Sequence, residues 1–499
     1  MSDTPDTPET PDLPEPPAEP GEPGGPQIGV DSWVASHGGR SGRPGPVGWM
    51  ARTWESIPDA VKFVAFLALA LSLPYWLLKS EGDLFNFGLF TLLFIGMGLG
   101  LNVDVGWAGL LDLGYVAAFG IGGYAYALLS SGYYGIHWPG EVVIPIAMVA
   151  AMIPAAVLGF SARRLLGDYL AIVTLFFAEA FLVFTNVSDP VLFGKGVTGG
   201  ANGIPQLDPL SFFGYKFTTS KQLYFFLVVA VAVVAGLLYL ANNSRTGRAW
   251  RASREDPLAA EVMSIPVNRL KILAFIFSWA VAGFFGAIYA AILTAAVSTN
   301  YSIGLLITIY AVIILGGLGS IAGVFLGAII INCTFVFLEP QSDYPGFKRV
   351  LFYAAIILLL ALLKPWYKAV VVLVGTIVSG FIAHAVVAAW AGHAWTSGRT
   401  VAGADWLTHW VIVPNVAHGN VNNILYIGLV AAVVLVGALK GWWRIIALGP
   451  TIYLAAVVWE NVLTENPGVT AFILFGAMLV GLMIKRPQGL LGSARVEIV

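Results

Sequence analysis

The run LFNFGLFTLLFIGMGLGLNV, residues 84–103, holds no charged side chain, and its only polar members are Asn86, Thr91 and Asn102. A helix of about 20 apolar residues crosses the hydrocarbon core of a bilayer, whereas a water-facing helix keeps a charged stripe. The rest of the chain shares this character. It is 58% hydrophobic and 11% charged, against roughly a quarter charged in soluble domains, so most of its surface is expected to face lipid. The formal net charge of -2 leaves no basic excess for neutralising phosphates, which argues against nucleic acid as a partner. The single cysteine, Cys333, sits in an apolar run and reads as a packing residue.

Similar runs occur at about 61–78, 84–103, 108–130, 141–161, 168–187, 222–241, 269–291, 304–317, 320–338, 350–363, 369–390, 423–439, 443–460 and 470–484. The expected fold is therefore all-α: a polytopic integral membrane bundle of about 14 spans. The shortness of 304–317 and the glycines of GGLGS at 316–320 make that region a candidate for half-helices that do not span. Residues 1–48 alternate Pro, Glu, Asp and Gly and predict a disordered, solvated tail. That acidic start lacks the basic region of a secretory signal.

Cytoplasmic loops retain Lys and Arg. Threading the spans from an inner N-terminus puts 19 of the 26 basic residues inside, including Arg163 and Arg164, the six from Arg245 to Lys271, Lys364, Lys440 and Lys485. Both termini are then expected on the cytoplasmic side. Arg163, Arg164, Asp168 and Tyr169 read as an interfacial anchor.

The densest polar segment between spans, NNSRTGRAWRASREDPLAAEVMSIPVNRLK at 242–271, belongs inside by this rule. Asp256 can cap a short helix begun by Pro257. The LAAEVMS that follows predicts an amphipathic helix across the cytoplasmic mouth. Either it is a plain topogenic loop or it docks a cytosolic partner, with Ala259 and Ala260 allowing close approach.

This segment, with the NRLKILAFIFSWAVAGFFGAIYA that follows, resembles the coupling loop and next span of permease subunits of branched-chain amino-acid ABC importers, of the LivM type. Five other blocks resemble the family in order: residues 100–129, GDYLAIVTLFFAEAF at 167–181, VTGGANGIP at 197–205, ILGGLGSIAGVFLGAIII at 314–331 and RPQGLLG at 486–492. The resemblance implies an ATP-driven importer with a second permease subunit, two cytosolic ATPases and an extracytoplasmic substrate-binding protein. It also implies ATPase-coupling roles for Arg254, Glu255, Asp256, Ala259 and Ala260. Ser264 stands where the family usually has glycine, which predicts a differently built turn. The chain has no GxxxxGK[ST] phosphate loop, so any ATP is expected on partner subunits and no cofactor on this one.

Asp104 and Asp112 lie within or beside apolar helices, where a carboxylate is costly and a candidate for function. An ion relay and a hydrogen-bonded structural charge are both open readings. Asn102, Tyr115, and Thr198 and Asn202 in the glycine-rich outer loop complete the candidate translocation pathway. The six histidines lack metal spacing, and no nucleophile, HExxH or paired-carboxylate pattern supports an enzyme.

The chain departs from the family after 363, where about 120 residues holding four apolar runs precede the RPQGLLG tail. The expected organisation is a tail at 1–48, a permease transmembrane domain at 49–365 with its coupling loop at 242–271, an inserted accessory transmembrane segment at 366–484, and a cytoplasmic tail at 485–499. The function expected is that of a multi-pass permease subunit in a cell (inner) membrane, carrying branched-chain or related amino acids. The alternatives are an ion-gradient-driven secondary transporter, a permease for urea or short amides, and a structural scaffold.

Overall fold

No water reaches the bilayer core to satisfy backbone N–H and C=O groups, so a spanning segment must bond internally, and runs of this length do so as helices. The computed structural model describes residues 59–161, 167–187, 191–192, 195–338, 353, 356, 366–391, 410–412, 419–439, 441–465 and 489–491. The chain divides into two compact units, residues 1–70 and 71–499. Among the described residues, eight helices are long and apolar enough to cross a membrane, and four shorter apolar ones accompany them. These match twelve of the fourteen apolar runs. The tail at 1–48, Arg163 and Arg164, almost all of 350–363, the run 470–484, most of the outer loop 391–420 and most of 485–499 lie outside the described residues.

In chain order the helices are α1 (Asp59–Trp76), α2 (Glu81–Ala108), α3 (Tyr115–Leu129), α4 (Gly140–Ser161), α5 (Gly167–Val187) and α6 (Ser220–Asn243). The short pair α7 (Arg245–Glu255) and α8 (Pro257–Val262) comes next, then α9 (Val267–Leu293), α10 (Ile303–Gly316) and α11 (Ile321–Leu338). The helices α12 (Trp366–Ala391), α13 (Gly419–Ala438) and α14 (Trp442–Glu465) follow. Two-residue antiparallel pairs join loops: β1 (Ser130–Ser131) with β2 (Ile136–His137), β3 (Val191–Leu192) with β4 (Lys195–Gly196), β5 (Ile204–Pro205) with β8 (Ala295–Ala296), and β6 (Ser211–Phe212) with β7 (Tyr215–Lys216).

Helix α9 is largely buried and packs along α3 and α4 and also against α2. Glycine makes this possible. A Cβ at Gly286 would strike the Phe119 carbonyl, and one at Gly122 the backbone of Gly283, so α3 and α9 meet backbone to backbone. At the far end of the chain, α14 packs on both α12 and α13, and its Ala456 and Trp459 meet Phe335 of α11.

Two stretches of α2, Leu84–Leu89 and Asn102–Ala108, are π-helical. Such widened turns disturb the backbone ladder and occur often at functional sites. At the first, the buried Asn332 of α11 donates to Asn86 O at 2.9 Å, to Phe87 O at 3.3 Å and to Thr91 Oγ1 at 2.8 Å. A side chain from a neighbouring helix thus occupies carbonyls at the irregular turn.

Two expectations need correction. The run 108–130 is not one span: the chain leaves the helix at Gly109, whose φ is 69°, and starts α3 only at Tyr115. The run 304–317 is also longer than expected, whereas the helix after GGLGS stays among the shorter apolar ones. A 3₁₀ turn at Ser298–Tyr301 extends α10 into a 19-residue apolar stretch, Ser298–Gly316, and α11 has 18 residues.

The β6–β7 hairpin turns through Phe213 (φ 48°) and Gly214 (φ 80°), both left-handed, the geometry in which Asn-Gly is favoured. A Phe there carries a backbone cost of about 1–2 kcal/mol.

Candidate functional site

Ser244 ends α6 and caps α7: its hydroxyl donates to Ala241 O at 2.6 Å and accepts from Gly247 N at 3.2 Å. Arg248 and Arg251 fold back onto the Asn243 and Asn242 carbonyls at 2.9 and 3.1 Å, placing positive charge where the α6 dipole is negative. The segment 242–271 thus holds two helices rather than one. Asp256 caps the second, accepting from Leu258 N at 2.9 Å and Ala259 N at 3.0 Å, with Pro257 in its first turn, as the sequence spacing predicts.

Helix α8 closes with Ser264 N donating to Glu261 O at 2.9 Å and Ile265 N to Ala260 O at 3.0 Å. This is the bonding of a Schellman end, in which glycine usually holds the left-handed position. Here Ser264 holds it, with φ 63°. The differently built turn expected from Ser264 is therefore not found; a serine adopts the glycine conformation.

The two faces of α8 differ. Ala260 is only 4% exposed and turns toward the bundle, so the expected close approach to a partner through it is corrected. The outward face carries Leu258, Val262 and Met263, exposed by 76%, 83% and 76%. Ala259, Glu255 and Asp256 are also exposed. In sequence the trio was readable as an i, i+4, i+5 apolar set within a polar loop.

The α7 side faces inward. Trp250 is buried, donates from Nε1 to Leu270 O at 2.8 Å, and stacks on Trp107 with ring centroids 6.3 Å apart and planes 20° apart. Trp107 Nε1 donates to Gly319 O at 3.0 Å, and Gly319 N donates to Asn102 Oδ1 at 2.8 Å. Arg254, one of the coupling positions, reaches into the bundle: it donates to Gly106 O and lays its stem against Gly109. Leu490 N and Leu491 N donate to Leu315 O and Gly316 O at 2.9 and 2.8 Å. The C-terminal ends of α2 and α10, helix α7 and the 489–491 segment therefore meet in one cluster. Trp107, Trp250 and Gly319 escaped the sequence reading because their importance lies in contacts between distant segments.

Asn102, Asp104, Asp112 and Tyr115 lie together around the unwound stretch 109–114. Non-helical backbone at this depth has to be covered by protein. Leu113 N donates to Thr174 Oγ1 at 3.0 Å, and Tyr310 Oη to Asp112 O at 2.5 Å. The Asp112 carboxylate accepts from Gly114 N and Trp279 Nε1, both at 2.8 Å. Tyr115 Oη donates to Met97 O at 2.8 Å. Asp104 is fully buried, and neither of its oxygens has a hydrogen-bond partner among the described residues. Neighbouring Ser278 gives its hydroxyl proton to Gly100 O at 3.0 Å. Thr198 and Asn202 are not part of this group. They sit at the C-terminal end of α5, away from Thr174, Thr198 buried and donating to Thr185 O at 2.9 Å, Asn202 exposed on a short 3₁₀ turn. Among the described residues, no group of three or more His, Cys, Asp or Glu could hold a metal.

Residues 84–361 match the family model described as branched-chain amino acid transport system / permease component. The chain belongs to this family. It is 34% identical to the high-affinity branched-chain amino acid transport system permease protein LivM of Escherichia coli K12, over 58% of this chain and 71% of that protein. The LivM protein of Salmonella typhimurium is 32% identical over the same shares. A more distant similarity, 28% over 32% of this chain and 46% of the relative, is to the fructose import permease protein FrcC of Rhizobium meliloti. No solved structure matches. The chain is a multi-pass membrane permease of the LivM type, and α12, α13 and α14 lie beyond the part the family model covers.

Proposed function

We propose that this permease subunit forms part of the pathway for branched-chain or related amino acids in an ATP-driven importer, with hydrolysis on separate cytosolic ATPases and no cofactor on this chain. The observation that carries the reading is the apolar outward face of α8, Leu258, Val262 and Met263, presented at the polar end of the bundle by a capped helix. Three large apolar side chains held in water await a surface to bury them. In this reading α8 is the docking helix, Asp256 fixes its start, and Arg254 and Trp250 tie it to the inner end of α2. A second permease subunit and an extracytoplasmic binding protein complete the machine.

The tail contacts at Leu490 and Leu491 support a C-terminus on the side of α7 and α8, and both termini are taken as cytoplasmic. The permease domain is taken as 49–365, with 366–484 an inserted accessory segment. Amino acids are the favoured cargo because the two LivM relatives that match 58% of the chain carry that name, whereas the fructose permease matches 32% of it.

Reconstitution tests the proposal. With two ATPases, the second permease and the binding protein in liposomes, uptake should require internal ATP and the binding protein. Uptake by the isolated chain on a proton or sodium gradient overturns it. The fully buried carboxyl of Asp104 favours that second reading, and Asp104→Asn separates the two. The uncharged isostere should retain ATP-driven uptake, whereas an ion-coupled carrier would lose gradient-driven uptake.

A further inference from the structure

We propose that the β6–β7 hairpin is a lipid foot. Its tip sets Phe213 into the headgroup–acyl boundary at the end of the bundle opposite α8, with Lys216 and Lys221 beside anionic headgroups. The inference is independent of ATP coupling.

The turn itself gives no reason for phenylalanine. Phe213 and Gly214 are both left-handed, and the Phe213 side chain is 91% exposed, so the hairpin gains almost no packing from a residue that strains it. Strained conformations persist where something over-determines them, and here the surrounding chain does not.

The position of the tip indicates what does. Phe213 N donates to Glu141 Oε2 at 2.9 Å, which seats the hairpin on the first turn of α4. The exposed apolar row of α4 begins at the next residue, Val142, and continues through Ile146, Val149 and Ile153. The hairpin's other side rests on α6, where the Phe212 and Phe217 rings each pack 5.2 Å from Phe226. The tip is therefore level with the start of the apolar surface, not raised above it.

The residues around it have the composition of an interfacial belt. Tyr215, Trp138, Tyr75 and Trp76 are exposed. Lys216 is exposed, and the Lys221 ammonium lies 4.5 Å from the Tyr75 ring centroid. At this level the Lys216 and Lys221 ammonium groups can reach the phosphates of lipid headgroups.

The test uses the full chain in nanodiscs. Cys333 is its one cysteine, so a Cys333→Ala background allows a nitroxide at Phe213→Cys, with Asn202→Cys as the exposed control at the same end of the bundle. In phosphatidylethanolamine discs containing phosphatidylglycerol, the label at 213 should collide with oxygen several-fold more often than with a water-soluble nickel chelate. The label at 202 should show the reverse. Lys216→Glu should move the 213 label toward water only when phosphatidylglycerol is present. If Phe213→Cys disturbs folding, Phe213→Trp in discs of brominated lipid replaces it, with added quenching over the parent expected. A label at 213 as open to nickel as that at 202 overturns the proposal, and so does shielding that arises only when a binding protein or second permease is added.

Discussion

Replacing Leu258 by Ala on α8 separates docking from folding. In the isolated chain Leu258 is 76% exposed, and alanine is the better helix former, so the fold should change by no more than about 0.5 kcal/mol. If α8 inserts into an ATPase groove, that exposed fraction becomes buried. Fully burying a leucine yields about 1.5–3 kcal/mol, and three quarters of that gives about 2 kcal/mol, or roughly thirtyfold in Kd. Adding Met263→Ala, with a side chain equally exposed, should bring the loss to a few hundredfold, about 3–4 kcal/mol, if the two act independently. The assay is binding of the purified ATPase subunit to nanodisc-held permease by biolayer interferometry, with thermal unfolding of the permease run in parallel. Unchanged affinity in the double variant refutes the docking assignment. Weakened affinity with an equally large loss of thermal stability refutes the claim that α8 acts outward.

Trp250→Phe keeps an aromatic ring against Trp107 but removes the donor to Leu270 O; ATPase binding should remain while amino acid uptake per ATP hydrolysed falls severalfold in proteoliposomes. Unchanged coupling would remove the tryptophan stack from transmission. Ser264→Gly relieves a left-handed serine and should stabilise the end of α8 by about 1 kcal/mol, seen as slower hydrogen exchange over 257–265. Asn332→Leu leaves the Asn86 and Phe87 carbonyls without their side-chain donor and should cost about 1–3 kcal/mol, read as a lowered unfolding temperature, whereas Asn332→Gln should recover part of it.

The spans were legible because the bilayer imposes one length and one solvent on each of them, and charge in the loops then carried the threading. The Asp256 cap was legible for a related reason: Asp followed by Pro is a local arrangement whose partners lie within three residues. Arg254 shows where local reading stops. Its place in a cationic loop says nothing of what it touches, and it donates to Gly106 O, 148 residues earlier. Asp112 is similar, since its acceptor sites are filled by Gly114 and by Trp279, and only the second of these is distant in sequence. The break at 109–114 escaped because its residues are nearly as apolar as a span; Gly109 was the one local sign.

The irregular backbone is not spread evenly through the bundle. Helix α9, packed through glycine against α3, is regular along its 27 residues, whereas α2 ends in a π-turn followed by six non-helical residues beside the tryptophan stack. A helix that meets its neighbours backbone to backbone has little freedom to slide, since any shift drives carbonyls into Cα atoms. The buried π-turn packs on both α9 and α7, and its Asn102, Gly106 and Trp107 bond to Gly319 and Arg254 from other segments. Because Trp250 stacks on Trp107 and Arg254 donates to Gly106 O, displacement of α7 acts directly on the C-terminal end of α2, next to the unwound stretch that holds Asp112. In the proposed coupling, motion of α7 reaches α2 through Trp107 and Gly106 and α9 through the hydrogen bond from Trp250 to Leu270 O, and variants at Trp107 and Gly106 should lower uptake per ATP hydrolysed while ATPase binding is kept.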